Sequence, residues 1–182
     1  MNSPDRFNEH LLELIQKLQE DLEAHGGDWT RPGFQALAVH RFGNFRMKIG
    51  RTALRAPFSV AYRVLFRFVR NFYGIELPYT VTVGRRVVFE HQGGIVVHGD
   101  ATIGDNSVIR QGVTIGNKNM EAPSDAPVIG KGVNVGAGAK ILGKIVIGDH
   151  ATIGANAVVV HDVDADTTVG GIPAVPLHPP YK

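Results

Sequence analysis

Branched aliphatic residues recur at every sixth position over long stretches of this chain. Two runs have this spacing: Val97, Ile103, Ile109 and Ile115, and then Ile129, Val135, Ile141, Ile147, Ile153 and Val159. Neither the 3.6-residue period of an α-helix nor the two-residue period of a strand singles out such a spacing. A fixed hexapeptide repeat of this kind indicates a parallel β-helix, in which three six-residue faces make one coil of about 18 residues.

The repeat is interrupted at two places, and both are candidate positions for functional residues. Its phase slips by two residues just before Val97, close to His91. It breaks again between Ile115 and Ile129, which are more than two repeats apart, and this gap predicts that residues 117–128 form a loop outside the β-helix. Loops on a rigid scaffold often carry binding residues, although a tolerated surface insertion explains the same pattern.

The N-terminal part of the chain has a helical pattern instead. Three helices are predicted, over residues 1–27, from Phe34 to about Phe45, and from Phe58 to Tyr73 after Pro57. Glycine is scarce within these segments and frequent after them. We therefore predict an α+β protein with an N-terminal α-helical cap over residues 1–77 and a parallel β-helix with one loop over residues 78–182.

The composition excludes several classes of protein and of chemistry. With 43% hydrophobic residues and a formal net charge of +2, the 182-residue chain is neither disordered nor a nucleic-acid-coating protein. It contains no cysteine, which excludes a catalytic thiol and a disulfide, and its histidines lack the spacing of metal ligands. The N-terminus has no signal-peptide core, and no stretch approaches the roughly 20 apolar residues of a membrane span. These features predict a cytoplasmic protein without a metal site.

His91 is the strongest candidate for acid–base chemistry. It follows an acid, Glu90, and precedes a pair of glycines at the point where the repeat slips. A histidine exchanges its proton near neutral pH and is suited to take a proton from a hydroxyl group. The structural alternative is a histidine that only occupies a corner of the β-helix.

Five further segments of the chain point to a known family. They are GFQAL (33–37), the acid–His–x–x–Gly–Ile–Val–Val stretch (90–97), QGVTIG (111–116), VGAGAKILG (135–143) and the closing Gly-Ile-Pro-Ala (171–174). In this order they resemble the serine acetyltransferases, which are hexapeptide-repeat acyltransferases. The resemblance implies a left-handed parallel β-helix that forms a homotrimer, with the active site and the acetyl-CoA cleft between neighbouring subunits. It also implies direct transfer of the acetyl group to a small hydroxyl acceptor, without a covalent enzyme intermediate.

The resemblance assigns roles to several residues around the acceptor. His91 matches the general base, and Glu76 matches the carboxylate fifteen residues upstream that orients it. Glu90 matches a second carboxylate, which contacts the acceptor. Asp28 corresponds, with a different spacing, to a carboxylate of the cap that reaches the acceptor. For Glu76, a plain surface acid at the domain boundary is the alternative.

The predicted coenzyme contacts lie in the β-helix and at the start of the loop. Asn117 and Ala137 match positions whose backbones contact the pantetheine arm in the family, although Ala137 also suits a purely structural corner. Val175 stands where the family commonly has an arginine beside the coenzyme. We therefore expect Lys140 to supply positive charge to acetyl-CoA.

The loop departs from the family at the acceptor site. Where the family has an Arg-His pair that grips the serine carboxylate, this chain has Asp125 and Ala126, just before Pro127. An aspartate repels an acceptor carboxylate, whereas a neutral sugar does not need the missing arginine. We therefore predict transfer to a sugar hydroxyl in polysaccharide biosynthesis, with Asp125 in the substrate site. A true L-serine O-acetyltransferase of cysteine biosynthesis and a non-catalytic β-helix scaffold are the alternatives.

Basic residues without an acidic residue among them cluster between positions 41 and 70, from the second predicted helix through the third. They are Arg41, Arg46, Lys48, Arg51, Arg55, Arg63, Arg67 and Arg70. Within residues 58–73, the last three of these share one helical face. A solvated basic edge, attraction of the polyanionic coenzyme, and contact with the inner face of an anionic membrane are the three interpretations. No motif for nucleic-acid binding accompanies the charge.

Overall fold

A cap of three helices precedes a β-helix in the computed structural model, which describes residues 3–177. Helix α1 spans Ser3–Ala24, α2 spans Pro32–Met47 and α3 spans Thr52–Phe68, and a π-helical turn, Val69–Tyr73, follows α3. Across the described residues, no helix has both the length and the apolar character needed to cross a bilayer.

Short strands then wind through five coils. The first coil contains β1 (Ile75–Glu76), β2 (Thr82–Val83) and β3 (Val88–Glu90), and the second contains β4 (Ile95–Val97), β5 (Thr102–Ile103) and β6 (Val108–Arg110). The third contains β7 (Thr114–Gly116), β8 (Val128–Ile129) and β9 (Asn134–Val135), and the fourth contains β10 (Lys140–Leu142), β11 (Val146–Ile147) and β12 (Thr152–Ile153). The fifth contains β13 (Val158–Val159) and β14 (Thr168–Gly171), and β15 (Ala174–Pro176) folds back antiparallel to β14.

Stacking of the coils produces three sheets. Sheet A has the order β1-β4-β7-β10-β13, sheet B contains β2, β5, β8 and β11, and sheet C contains β3, β6, β9, β12, β14 and β15. Every aliphatic residue of the two hexapeptide runs points into the prism and is at most 2% exposed. The predicted helical cap followed by a parallel β-helix is confirmed.

Both interruptions of the repeat lie at corners of the prism. In sheet A, Glu76 pairs with Val96 and Val96 pairs with Thr114, so the first coil is two residues longer than the second. Thr114 in turn pairs with Lys140, and this third coil is the longest because residues 117–127 leave the prism between β7 and β8. The predicted loop is therefore correct except for residue 128, which already belongs to β8.

Two element boundaries differ from the sequence prediction. The third helix begins at Thr52 rather than Phe58, and it contains Pro57. A proline in a helix leaves the carbonyl four residues earlier without its hydrogen bond, but here that carbonyl belongs to Ala53, which is exposed and available to water. The β-helix begins at Ile75, three residues before the predicted boundary, because Gly74 ends the helical segment in a left-handed conformation with φ of 64°.

A buried ion pair fixes the cap to the β-helix. Arg41 of α2 donates two hydrogen bonds to the carboxylate of Asp21 in α1, and its Nε lies 2.8 Å from Oδ2. The same guanidinium donates hydrogen bonds to two carbonyls of the β-helix. One belongs to Val83, the last residue of β2, and the other to Gly84, at the corner that follows. Both charged side chains are at most 4% exposed. The ion pair therefore fixes both helices against sheet B.

The basic cluster seen in the sequence is divided by the fold. Arg41 is buried in its ion pair, and Arg46 is buried with its guanidinium carbon 4.4 Å from the ring centres of both Tyr62 and Tyr79. Lys48 pairs with Glu13 of α1. Only the arginines from residue 51 onward therefore contribute to an exposed basic surface.

We expect His40 to make the folded state less stable in mild acid. Its Nε2–H donates to the carbonyl of Val81 over 2.9 Å, and burial lowers the pKa of His40 from 6.5 to about 4. The unfolded chain takes up this proton below pH 6.5, but the folded chain does so only near pH 4. The free energy of unfolding should therefore fall by about 3 kcal/mol across this interval because of His40 alone.

The variant His40→Gln isolates this effect, since glutamine retains a donor for Val81 and has no proton to exchange. Urea unfolding at several pH values should give a shallower decline for the variant than for the native chain. Parallel declines in the two proteins would contradict the assignment.

Candidate active site

His91 lies in a bulge at the corner between sheet C and sheet A. Regular pairing with the next coil holds up to Glu90 and resumes at Gly94. Residues 91–93 therefore lie opposite a single residue, Gln111. The two additional residues account for the longer first coil, and they place His91 on the surface with a φ of 66°. Histidine tolerates this left-handed region better than branched residues do.

The corner beside this bulge is bare backbone. Gly94, Gly112 and Gly138 stack on one another in successive coils, all with positive φ. A Cβ atom on Gly112 would lie 3.2 Å from the Cα of Gly138, so larger residues do not fit without a shift. A ligand beside His91 can therefore approach the main chain closely.

Glu76 lies in β1 of sheet A, two residues beyond the glycine that packs at this corner. It is half-buried and pairs with Val96, and Gly74, two residues before it, packs against Gly93 and Gly94. Among the side-chain hydrogen bonds of residues 3–177, none joins Glu76 to His91. The structure thus places Glu76 on the strand that pairs with β4, which follows the His91 bulge, and its orienting role stays a prediction.

Glu90 is part of a charged row on the outer face of sheet C. Its Oε2 lies 2.9 Å from the Nε of Arg110, which occupies the paired position in the next coil. Arg110 also donates to the side-chain oxygen of Asn134, one coil further. A carboxylate and a guanidinium therefore lie side by side next to His91.

Asp28 lies in the exposed turn between α1 and α2. The hydroxyl and amide of Thr30 both donate to its carboxylate, and these hydrogen bonds lower the pKa of Asp28. The elements on either side of the turn contact Phe89: Nε2 of His25 accepts from its amide at 3.3 Å, and Gly33 packs against its carbonyl. This anchoring holds the turn beside strand β3, which leads to His91.

The loop residues start and end the excursion from the prism. Asn117 donates from its side chain to the carbonyl of Asn119 over 2.7 Å, which shapes the first turn of the loop. Asp125 is half-buried, and its amide donates to the carbonyl of Ala122. Ala126 is buried in the core where the chain re-enters the prism. An alanine at this position therefore has a packing role, and only Asp125 is available to a ligand.

The remaining predicted contacts lie further along the corner. Ala137 is half-buried beside Gly138, and its carbonyl accepts from the amide of Asn156. The amine of Lys140 donates to the carbonyl of Gly112 and, at 3.1 Å, to the hydroxyl of Thr114. Lys140 is thereby held on sheet A, with its charge close to the glycine corner.

Two residues near His91 were not anticipated from the sequence. Arg110 supplies a cation beside Glu90, and the side-chain oxygen of Gln111 is buried without a hydrogen-bond partner in residues 3–177. Buried polar atoms are rarely left unpaired, so this amide is a candidate for contact with a ligand. Counting one coil onward from Glu90 would have identified Arg110, because these two residues pair between β3 and β6.

Comparisons with known proteins agree with this architecture. Residues 126–161 match the model of the bacterial transferase hexapeptide (six repeats) family. A serine acetyltransferase from Synechocystis sp. is 43% identical over 148 residues, which are 81% of this chain and 57% of that protein. The chain thus spans little more than half the length of the curated relatives it matches.

Solved structures extend the similarity to the helical cap. The crystal structure of serine acetyltransferase from Neisseria gonorrhoeae is 31% identical, with a TM-score of 0.78 over 94% of this chain and 67% of that one. A serine acetyltransferase from Brucella abortus in complex with coenzyme A is 29% identical, with a TM-score of 0.79 over 95% of this chain and 71% of that one. On this evidence, the chain belongs to the serine acetyltransferase family of hexapeptide-repeat transferases.

Proposed function

We propose that this protein is an acetyl-CoA-dependent O-acetyltransferase that acetylates L-serine. The activity rests on one observation above all: an exposed histidine, His91, is held in a bulge at a bare glycine corner, directly after Glu90 of β3. A second carboxylate, Glu76, lies in β1, which pairs with the strand that follows the bulge. The coenzyme-bound Brucella relative supports acetyl-CoA as the donor. Lys140 would attract the anionic coenzyme to this corner.

The reaction needs one proton carrier. His91 removes the proton of the acceptor hydroxyl as its oxygen attacks the thioester carbonyl carbon. Collapse of the tetrahedral intermediate breaks the carbon–sulfur bond, and the imidazolium of His91 returns the proton to the departing thiolate. The unpaired side-chain amide of Gln111, opposite the bulge, would contact the reacting groups when they bind. Glu76 would favour the protonated form of His91 if it approaches the imidazole when substrate binds.

The Glu90–Arg110 pair favours an amino acid as the acceptor. A zwitterion such as serine has an ammonium group and a carboxylate on the same carbon. Glu90 matches the first charge and Arg110 the second, beside the base that activates the hydroxyl. Arg110 would then provide the carboxylate contact that Asp125 cannot. The names of the relatives also favour serine over the sugar expected from the loop alone.

We expect Arg110→Gln to weaken serine binding specifically. Loss of a hydrogen bond to a charged group costs about 1.5–3 kcal/mol, so KM for serine should rise about 10- to 200-fold. KM for acetyl-CoA should stay within about twofold of the native value, since Arg110 lies on the acceptor side of His91. Arg86→Gln is the matched control, because Arg86 bonds Asn106 in the adjacent coil at a different corner. Equal effects of the two substitutions would remove Arg110 from the acceptor site.

A sugar hydroxyl is the second candidate acceptor, and Asp125 is the observation that favours it. Thiol release from acetyl-CoA should be followed with serine and with a panel of sugars and nucleotide-sugars. Fast turnover with serine supports the main proposal, and turnover only with a sugar supports the second. Absence of thiol release with every acceptor would leave the scaffold interpretation.

We also propose a homotrimer whose active sites lie between subunits. The family resemblance supports it, and so does an exposed apolar patch on sheet B, where Val128 and Val146 pair side by side. Light scattering of the purified protein tests the subunit number. A cytoplasmic location stays a prediction.

A further inference from the structure

Helix α3 contacts the rest of the protein along one side only. Tyr62 is its single buried residue. On the opposite side, Val60, Val64 and Phe68 recur at every fourth position and form an apolar stripe, and they are 52%, 62% and 44% exposed. Phe72, in the turn that follows, is 73% exposed and stacks on Phe68 with ring centres 4.8 Å apart. The stripe therefore continues beyond the end of the helix.

Arginines line one edge of this stripe. Arg63, Arg67 and Arg70 are all exposed, and their spacing of four and three positions places them along one side of the helix. Within residues 3–177, none of them forms an ion pair. Arg63 donates to the carbonyl of Ser59, and the guanidinium of Arg70 lies 5.8 Å from the ring centre of Phe66. Their charges thus face solvent beside an apolar surface.

The surrounding sequence reinforces this charge. Residues 29–75 contain nine of the 19 Lys and Arg residues of the chain and none of its 17 Asp and Glu residues. Arg51 and Arg55 extend the positive surface at the beginning of α3. Since Arg41, Arg46 and Lys48 are buried or paired, the positive surface is formed by the five arginines of residues 51–73, a segment without an acidic residue.

We propose that the exposed face of α3 binds an anionic membrane surface. Apolar side chains on such a helix enter the boundary between headgroups and acyl chains, and arginines at the edge reach the lipid phosphates. Pairing of this face with the same face of a second copy would bring arginine against arginine, which is unfavourable. An anionic bilayer supplies both an apolar phase and negative charge, which together complement the stripe and its basic edge.

The test is co-sedimentation of the full-length protein with phosphatidylcholine vesicles, with and without phosphatidylglycerol. Binding is expected only to the anionic vesicles, and added salt should weaken it. The double substitution Arg63→Gln/Arg67→Gln should reduce the partition coefficient about 30-fold, given the usual contribution of each basic residue near such a surface. Val64→Ser/Phe68→Ser should also reduce it, without any change of charge.

The matched control is Lys131→Gln/Lys144→Gln, which removes two exposed charges from the β-helix. Its binding should equal that of the native chain. Equal losses for the control and the arginine variant would indicate general charge attraction and overturn the proposal. It is equally overturned if the stripe variants change the molecular mass in solution, which would identify a subunit interface. A raised KM for acetyl-CoA without vesicle binding would instead assign the arginines to coenzyme attraction.

Discussion

Replacement of His91 by asparagine is expected to lower kcat by about 10²- to 10⁴-fold, the usual contribution of a general base. Asparagine tolerates the left-handed backbone of the bulge but cannot carry the proton from hydroxyl to thiolate. Since His91 is exposed, the thermal unfolding temperature and the subunit number should not change. Thiol release from acetyl-CoA measures the rate.

His150→Asn is the appropriate control for this substitution. His150 is also exposed and also has a positive φ, 59°, but it lies at the corner between sheets B and C. Its replacement should leave kcat unchanged. Native turnover in the His91 variant would exclude this residue as the base, whereas similar losses in both variants would indicate a general effect of corner histidines on the fold.

The largest effect on stability is expected at Arg41. The substitution Arg41→Met leaves the buried carboxylate of Asp21 without a counter-ion and two β-helix carbonyls without a donor. Removal of one partner of a buried ion pair typically costs about 3–5 kcal/mol, so urea unfolding should move to much lower denaturant concentration. The double variant Asp21→Asn/Arg41→Met should be less destabilised than the single one, because no isolated charge remains.

A neighbouring ion pair provides the comparison. Glu20 and Arg85 also join α1 to the β-helix, but Arg85 is exposed and Glu20 is only partly buried. Exposed pairs contribute little, so Arg85→Met should shift the unfolding midpoint far less than Arg41→Met. If both substitutions shift it equally, burial does not set the strength of the cap attachment.

The β-helix could be predicted from the sequence because the buried positions recur at a fixed spacing in every coil. An inward position in every hexapeptide admits only a branched aliphatic side chain, and both departures from that spacing correspond to real corners. His91 could be identified for the same reason, since it stands at one of these departures. The family resemblance then added the roles of Glu76 and Glu90, which spacing alone does not reveal.

Other features depend on contacts between distant segments and were missed. Arg41 and Arg46 read as part of a solvated basic helix, yet the fold buries one against Asp21 and the other between two tyrosines. Arg110 was not predicted because its partner, Glu90, lies one whole coil earlier in the sequence, whereas partners on a helix are only three or four residues apart. Pro57 suggested a helix start, but the carbonyl that it leaves without a hydrogen bond, that of Ala53, lies in the exposed first turn, so the helix can begin earlier.

His91 and the loop that contains Asp125 lie at corners of the prism, whereas the buried aliphatic residues that stabilise it lie in its sheets. The two additional residues at His91 and the loop of residues 117–127 both lengthen a coil without disturbing the pairing of any sheet. Segments of other lengths can therefore be exchanged at the same corners while the ladder of buried aliphatic residues stays intact. Grafting a loop with a different charge between Gly116 and Val128 is consequently a direct route to an enzyme with a new acceptor.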